Sequence, residues 1–324
     1  MFLILSTLLL PTLISTINGE IGSQFGESHT IVKRATKPDH FTYTDQKEWL
    51  TFNGSQCGND RQSPINLDSS LATIDESLHL NFNSYDNLLE AGQGSVHSTG
   101  HNLRLDFKTQ YTYSVTGSAV EGHLMELYQL HLHWGINSMS GSEHAIDGER
   151  FAAEVHFVHL NAAYKGFGEK ALEHEDALTV IGVIAKNGDP NPGLDILLEA
   201  MQSNSSNIKY DTKNQFSLRY FLPGNTKSFF KYFGSLTTPN CQEAVNWIVM
   251  KDFITVSNDQ IDRLRSLVDE HGDEMKTVVR DVQPLKGRTI YQSDSGSMLG
   301  PISLASIVFY LIIHILFIQK CILN

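Results

Sequence analysis

The chain has 324 residues and a formal net charge of -12, with 24 Lys and Arg against 36 Asp and Glu. An acidic balance of this size repels nucleic-acid phosphates, which excludes nucleic acid as the natural partner. A hydrophobic content of 41%, with no internal repeat or long low-complexity tract, suits one large globular domain or two small ones.

Residues 1–19 open with FLILSTLLLPTLI from Phe2, an apolar run too short to span a bilayer and followed by small and polar residues. It reads as a secretory signal resting on its apolar core, since the basic n-region is missing. Residues 20–38 form a polar, loosely patterned segment in which Lys33-Arg34 reads as a solvated pair. The folded domain is expected over residues 39–292. Cys57 and Cys241 fall inside it and Cys321 outside it, a usage that fits an oxidising compartment. Asn53 and Asn204 head glycosylation sequons, consistent with that compartment.

From Asn66 to Tyr128, short apolar and aromatic runs are broken by Gly, Asn and Ser. Leu103, Leu105 and Phe107 alternate after Gly100, the pattern of a half-buried strand. The run Gln129 to Trp134, QLHLHW, also alternates, so His131 and His133 project to one face and Leu130 and Leu132 to the other. That pair is half of a metal site. In Ala152 to Leu160, AAEVHFVHL, the same alternation puts Glu154, His156 and Val158 on one face and Val155, Phe157 and His159 on the other. If the two strands pair, His156 becomes the third nitrogen ligand of a catalytic zinc and leaves the fourth position open. The usual zinc-protease pattern HExxH is absent from the chain. Ser257 and Gln260 form a capping box for a helix carrying Ile261, Leu264, Leu267 and Val268 on one face and closing before Gly272.

The C-terminus carries SDSGS over 293–297, a short linker over 293–300, and an apolar tail over 301–324. Small residues, a brief spacer and an apolar end read as a GPI-anchor signal, with a single-pass helix as the alternative.

The blocks DRQSPINL from Asp60, QLHLHWG, GSEHAIDGERFAAEVHFVHLN, GSLTTPNCQEAVNWIV and QPLKGR from Gln283 occur in one order. From about His40 to Tyr291 the chain closely resembles the alpha-class carbonic anhydrases. The resemblance implies a mainly β (α+β) domain, a large twisted and mostly antiparallel sheet with peripheral helices. It also implies one zinc per chain and reversible hydration of CO2 to bicarbonate and a proton.

The likeness carries over residue by residue. His131, His133 and His156 match the zinc ligands. Gln129 and Glu154 match the groups that orient the first and third of them. Thr237 and Glu143 match the pair that orients the nucleophile, with His144 and Tyr232 buttressing the glutamate. Val158, Val180, Leu236, Thr238, Val245 and Trp247 match the substrate pocket, and His101 the proton shuttle. Cys57 and Cys241 match a disulfide of secreted members. The expected partners are CO2, bicarbonate, water and, through the tail, a membrane. Thr99 and Arg104 depart from Asn residues that order water, Asn240 from a second Pro in cis, and Phe41 from an N-terminal Trp. A non-catalytic binding module of the same fold is the alternative in another class; esterase action would be a side activity.

Overall fold

The two strands that carry the histidines are ten and nine residues long, and they lie side by side near the middle of the sheet. The computed structural model describes residues 41–89, 93–107, 113–202, 216–269 and 271–293, all within the unit spanning residues 35–324. The expected signal, the polar segment before residue 39, Asn204, and residues 294–324 with Cys321 lie outside the described residues.

Eight strands matter for the site: β1 (Gly94–Ser98), β2 (Leu103–Phe107), β3 (Met125–Trp134), β4 (Ala153–Asn161), β5 (Leu178–Asn187), β6 (Phe229–Gly234), β7 (Val245–Met250) and β8 (Ile254–Val256). Seven of them lie side by side in the order β6-β7-β5-β4-β3-β2-β1, within a sheet of twelve strands among the described residues. Neighbours in this series are antiparallel except β5 and β7, which run parallel, and β8 adds to β5 in the same sense. The expected mainly β, mostly antiparallel architecture is the one observed.

Alternation decides which side chains meet. Val96, Leu105, Leu130, Leu132, Val155, Phe157, Ile181 and Val183 are all buried in one cluster on one face. Each such burial contributes roughly 1.5–3 kcal/mol, so a one-residue slip that moved these side chains to the other face would be prohibitive. The opposite face carries the histidines and a second apolar cluster that includes Val158, Val180, Tyr232, Val245, Trp247 and Val249. His159 points away from the histidine face as expected, and its Nε2 lies 2.6 Å from the buried Tyr85 hydroxyl.

Two helices, α1 (Pro192–Gln202) and α2 (Asn258–Arg265), cover the first face through Leu194, Leu197, Ile261 and Leu264. The capping box is present: Gln260 N donates to Ser257 Oγ at 3.2 Å, and Ser257 N donates to Gln260 Oε1 at 3.2 Å. The helix stops sooner than its sequence pattern implies. Val268 pairs with Glu274 as an isolated bridge and is exposed, because the chain turns extended after Ser266. The α1 helix escaped the sequence reading, although Pro192 at its first position and Asn191 before it are start signals. Asn191 Oδ1 accepts from Gly193 N at 3.0 Å and Leu194 N at 3.2 Å, and Gln260 bonds the Asn191 backbone, tying the two helix starts together.

Cys57 and Cys241 form the expected disulfide across 184 residues of chain, packed against Phe41 and Trp49. Replacing both cysteines by serine should lower unfolding stability by about 2–5 kcal/mol, measured by urea denaturation of the two proteins side by side. An unchanged midpoint would show that the bridge adds nothing to the fold.

Candidate metal centre

Register brings the three histidines together. His131 lies opposite His156, and His133 opposite Glu154, in the β3–β4 pairing. The pairing shifts by one residue between Leu127 and Gln129, a bulge at Tyr128 just before the histidine pair. Ring centroids stand 4.9 Å apart for His131 and His133, 5.0 Å for His131 and His156, and 4.6 Å for His133 and His156. His133 and His156 are buried, while His131 keeps a partly exposed edge.

Each ring is fixed by an acceptor on its far side. Gln129 Oε1 lies 2.9 Å from His131 Nδ1, the Val278 carbonyl 2.6 Å from His133 Nδ1, and Glu154 Oε1 2.8 Å from His156 Nε2. These acceptors take the N–H of each ring, which leaves a lone pair on His131 Nε2, His133 Nε2 and His156 Nδ1. The three ligand atoms lie within 4.8 Å of one another, and His133 Nε2 is buried without a hydrogen-bond partner. Converging lone pairs with no donor among them fit a cation, and three neutral imidazoles with an open fourth position fit zinc. A second group of metal-ligand type, His144, Glu154 and His156, is a hydrogen-bonded network instead, because Glu154 Oε1 already bonds both rings.

The electrostatics keep the ligands neutral. Burial pushes His131 well below the ordinary imidazole range, with the neighbouring His133 and His156 adding to it; burial likewise lowers His133 to about 4 and lowers His156. Burial alone would raise Glu154, yet His144 and His156 hold it well below the usual carboxylate range. Its Oε2 also accepts the backbone N–H of Glu143 at 2.9 Å and of His144 at 2.8 Å. Room for this carboxylate comes from β5: a Cβ on Gly182 would stand 2.9 Å from Glu154 Oε1. Neither Val278 nor Gly182 was found by sequence reasoning. Val278 contributes only a backbone carbonyl from 145 residues away, for which no side-chain signal exists.

Glu143 reaches the centre from a loop, its Oε2 3.4 Å from His133 Nε2. Burial raises its carboxyl, while His156, a hydrogen bond from Thr237 and the Arg280 backbone N–H pull it back down. His144 and Tyr232, expected to buttress Glu143, are bonded elsewhere, with His144 Nδ1 2.7 Å from Glu154 Oε1 and His144 Nε2 2.7 Å from the Tyr232 hydroxyl. They therefore support Glu154 directly, and reach Glu143 only through it. Val180, Val245 and Trp247 are buried beside the site, the Trp247 ring 4.8 Å from that of His156. Val158, Leu236 and Gln129 line a cleft of about 1110 Å³. The Thr238 carbonyl accepts the Cys241 N–H at 2.8 Å, which ties the Thr237 loop to the disulfide.

His101 lies at the N-terminal side, its ring stacked on Phe41 at 3.8 Å. Thr99 is engaged in the turn that presents it, with Oγ1 accepting from His101 N at 3.3 Å and Asn102 N at 3.1 Å. Arg104 is bound to Asp106 through Nε at 2.7 Å and sits 5.5 Å over the Tyr128 ring. The Pro239–Asn240 peptide is cis although Asn240 is not proline. Asn53, the sequon residue among the described ones, is exposed.

Two outcomes follow from this geometry. Unfolded His133 takes its proton near 6.5 and folded His133 near 4, so the metal-free protein should lose stability as pH falls through that window. Its urea midpoint should be lower at pH 5 than at pH 7; equal midpoints would contradict the burial assigned to the rings. Gly182→Ala should push the Glu154 carboxylate off His156 and weaken zinc binding by about tenfold or more, read by competition with a chelating dye. Unchanged affinity would mean that the carboxylate yields freely.

The family model for eukaryotic-type carbonic anhydrase matches residues 44–294. Carbonic anhydrase 7 of Mus musculus is 38% identical over 244 residues, covering 72% of this chain and 89% of that protein. Carbonic anhydrase 1 of Mus musculus is 35% identical over 236 residues, covering 72% and 89%. Carbonic anhydrase 3 of Bos taurus is 34% identical over 238 residues, covering 72% and 90%. With its histidine centre on the central strands of the matched region, this chain belongs to the eukaryotic-type carbonic anhydrase family.

Proposed function

We propose that this chain hydrates carbon dioxide reversibly, CO2 and H2O giving HCO3⁻ and H⁺, on the outer face of the plasma membrane, held there by a lipid anchor. The observation that carries the chemistry is the convergence of three imidazole lone pairs whose opposite nitrogens are fixed by Gln129, Val278 and Glu154. Bound there, zinc supplies a water-derived nucleophile near neutral pH.

The protein's own residues orient that chemistry. The Thr237 hydroxyl donates its one O–H in a hydrogen bond to Glu143, so its oxygen is left to act as an acceptor. A nucleophile beside it must donate to Thr237 and turn a lone pair toward the apolar pocket. Val158, Val180, Leu236, Val245 and Trp247 hold CO2 there weakly, which suits turnover because tight ground-state binding does not speed the reaction. Thr238 follows Thr237 on the same loop. Each turnover releases one proton, and His101 accepts it for transfer to buffer.

A non-catalytic role is disfavoured by the complete histidine set and its acceptors, since a binding module needs neither. An outer location is supported by the apolar run after Met1, the Cys57–Cys241 bridge, the exposed Asn53 sequon and the apolar tail over 301–318. Among the described residues no helix is long and apolar enough to cross a membrane. A cleaved anchor signal would leave the mature chain ending near 293–297, whereas a single-pass helix would keep Cys321.

Phosphatidylinositol-specific phospholipase C on cells expressing the chain should release CO2-hydrating activity into the medium. The His131→Ala chain should be released equally but without zinc or activity. Activity that stays on the cells, with a recovered peptide containing Ile302, would replace the lipid by a helix; full activity in the His131→Ala chain would overturn the metal centre.

A further inference from the structure

We infer that His97 is a second proton acceptor of the cleft, separate from His101 and specific to the charged wall that this chain builds on β1 and β2. Register places His97 opposite Arg104, Arg104 opposite His131, and His131 opposite His156, so all four share the histidine face across adjacent strands. Two strand spacings of about 4.8 Å separate the backbone of His97 from that of His131. The neighbouring row on the same face is Asp106 and Gln129, the residue that fixes the His131 ring.

The wall is arranged to receive a cation at His97. Asp106 Oδ1 binds Arg104, at 2.7 Å from Nε and 2.6 Å from an Nη, while its Oδ2 faces His97 Nε2 at 3.6 Å. Asp106 neutralises the guanidinium that would otherwise repel a proton crossing the cleft, and its second oxygen faces the ring that takes the proton. Arg104 is held still by this pairing and by Tyr128 beneath it. The His97 side chain is 39% exposed, so the proton it accepts can pass on to buffer. Among the described residues, Arg104 and Asp106 of β2 are the charged groups that face His97, and β1 ends this series of strands. An imidazole is the side chain that both takes and releases a proton near neutral pH. The transfer makes and breaks only N–H and O–H bonds through water: the proton released in hydration goes to the free ring nitrogen, then to buffer.

The inference rests on CO2 hydration at the histidine centre, which kcat/KM reports separately from proton export. His101→Ala and the double variant His97→Gln/His101→Ala should be compared in dilute, non-imidazole buffer. The double variant should show kcat lower by a further factor of about three to ten, with kcat/KM retained and kcat restored by imidazole. Equal kcat for the two variants would overturn the role, as would a parallel fall in kcat/KM or a loss that imidazole leaves unrepaired. Absence of hydration in the wild-type protein would instead overturn the reading of the centre itself.

Discussion

Three imidazole lone pairs aimed at one point in a buried site are the constraint on which the rest of this structure depends. Without a cation among them, the buried His133 Nε2 has no hydrogen-bond partner, at a cost of about 1–3 kcal/mol. Three different acceptors hold the rings in that unfavourable orientation. A side-chain amide holds His131, a backbone carbonyl His133 and a buried carboxylate His156. The carboxylate is itself held by two backbone N–H groups and by His144, with Gly182 leaving the space it occupies. Binding energy from the metal offsets this arrangement, and the β3–β4 register makes it possible.

A second assembly sets the position of Glu143 and Thr237. The Arg280 backbone N–H donates to Glu143 Oε1 at 2.8 Å. Its buried guanidinium donates to Gln62 Oε1 at 2.9 Å, the Ser63 carbonyl at 2.7 Å and the Cys57 carbonyl at 3.1 Å. Burial lowers Arg280 to about 10, so it stays charged at neutral pH and keeps all of these bonds. Gln62 in turn donates to the Cys241 carbonyl at 3.3 Å. One arginine thus connects the carboxylate of the site to both ends of the disulfide, a link between distant segments that no local motif announces. Thr99 builds the His101 turn and Arg104 pairs with Asp106.

Legibility followed the range of the interactions. Alternation in QLHLHW and AAEVHFVHL placed His131, His133, His156, Glu154 and the inward leucines correctly, because the side-chain period of a strand is a local property. The capping box at Ser257 was equally readable, since both of its hydrogen bonds close within four residues. The end of that helix was not, because a bridge between Val268 and Glu274 overrode an apolar pattern that would have carried it further. Roles for Glu143, Thr237, Cys57 and Cys241 came from resemblance, and spacing alone could not have joined them.

By itself, the sequence determined that one strand would present His131 and His133 to a single face and another would present Glu154 and His156 to a single face. It also determined which residues could be ligands. Only the tertiary structure decided which nitrogen of each ring is free, since that depends on acceptors such as the Val278 carbonyl, brought in from 145 residues away. It likewise decided that Gly182 leaves the space the Glu154 carboxylate occupies and that His97, Asp106 and Arg104 stand together beside the centre. Tautomer, clearance and cross-strand charge pairing are all set by distances between segments far apart in the chain, and a linear pattern contains none of those distances.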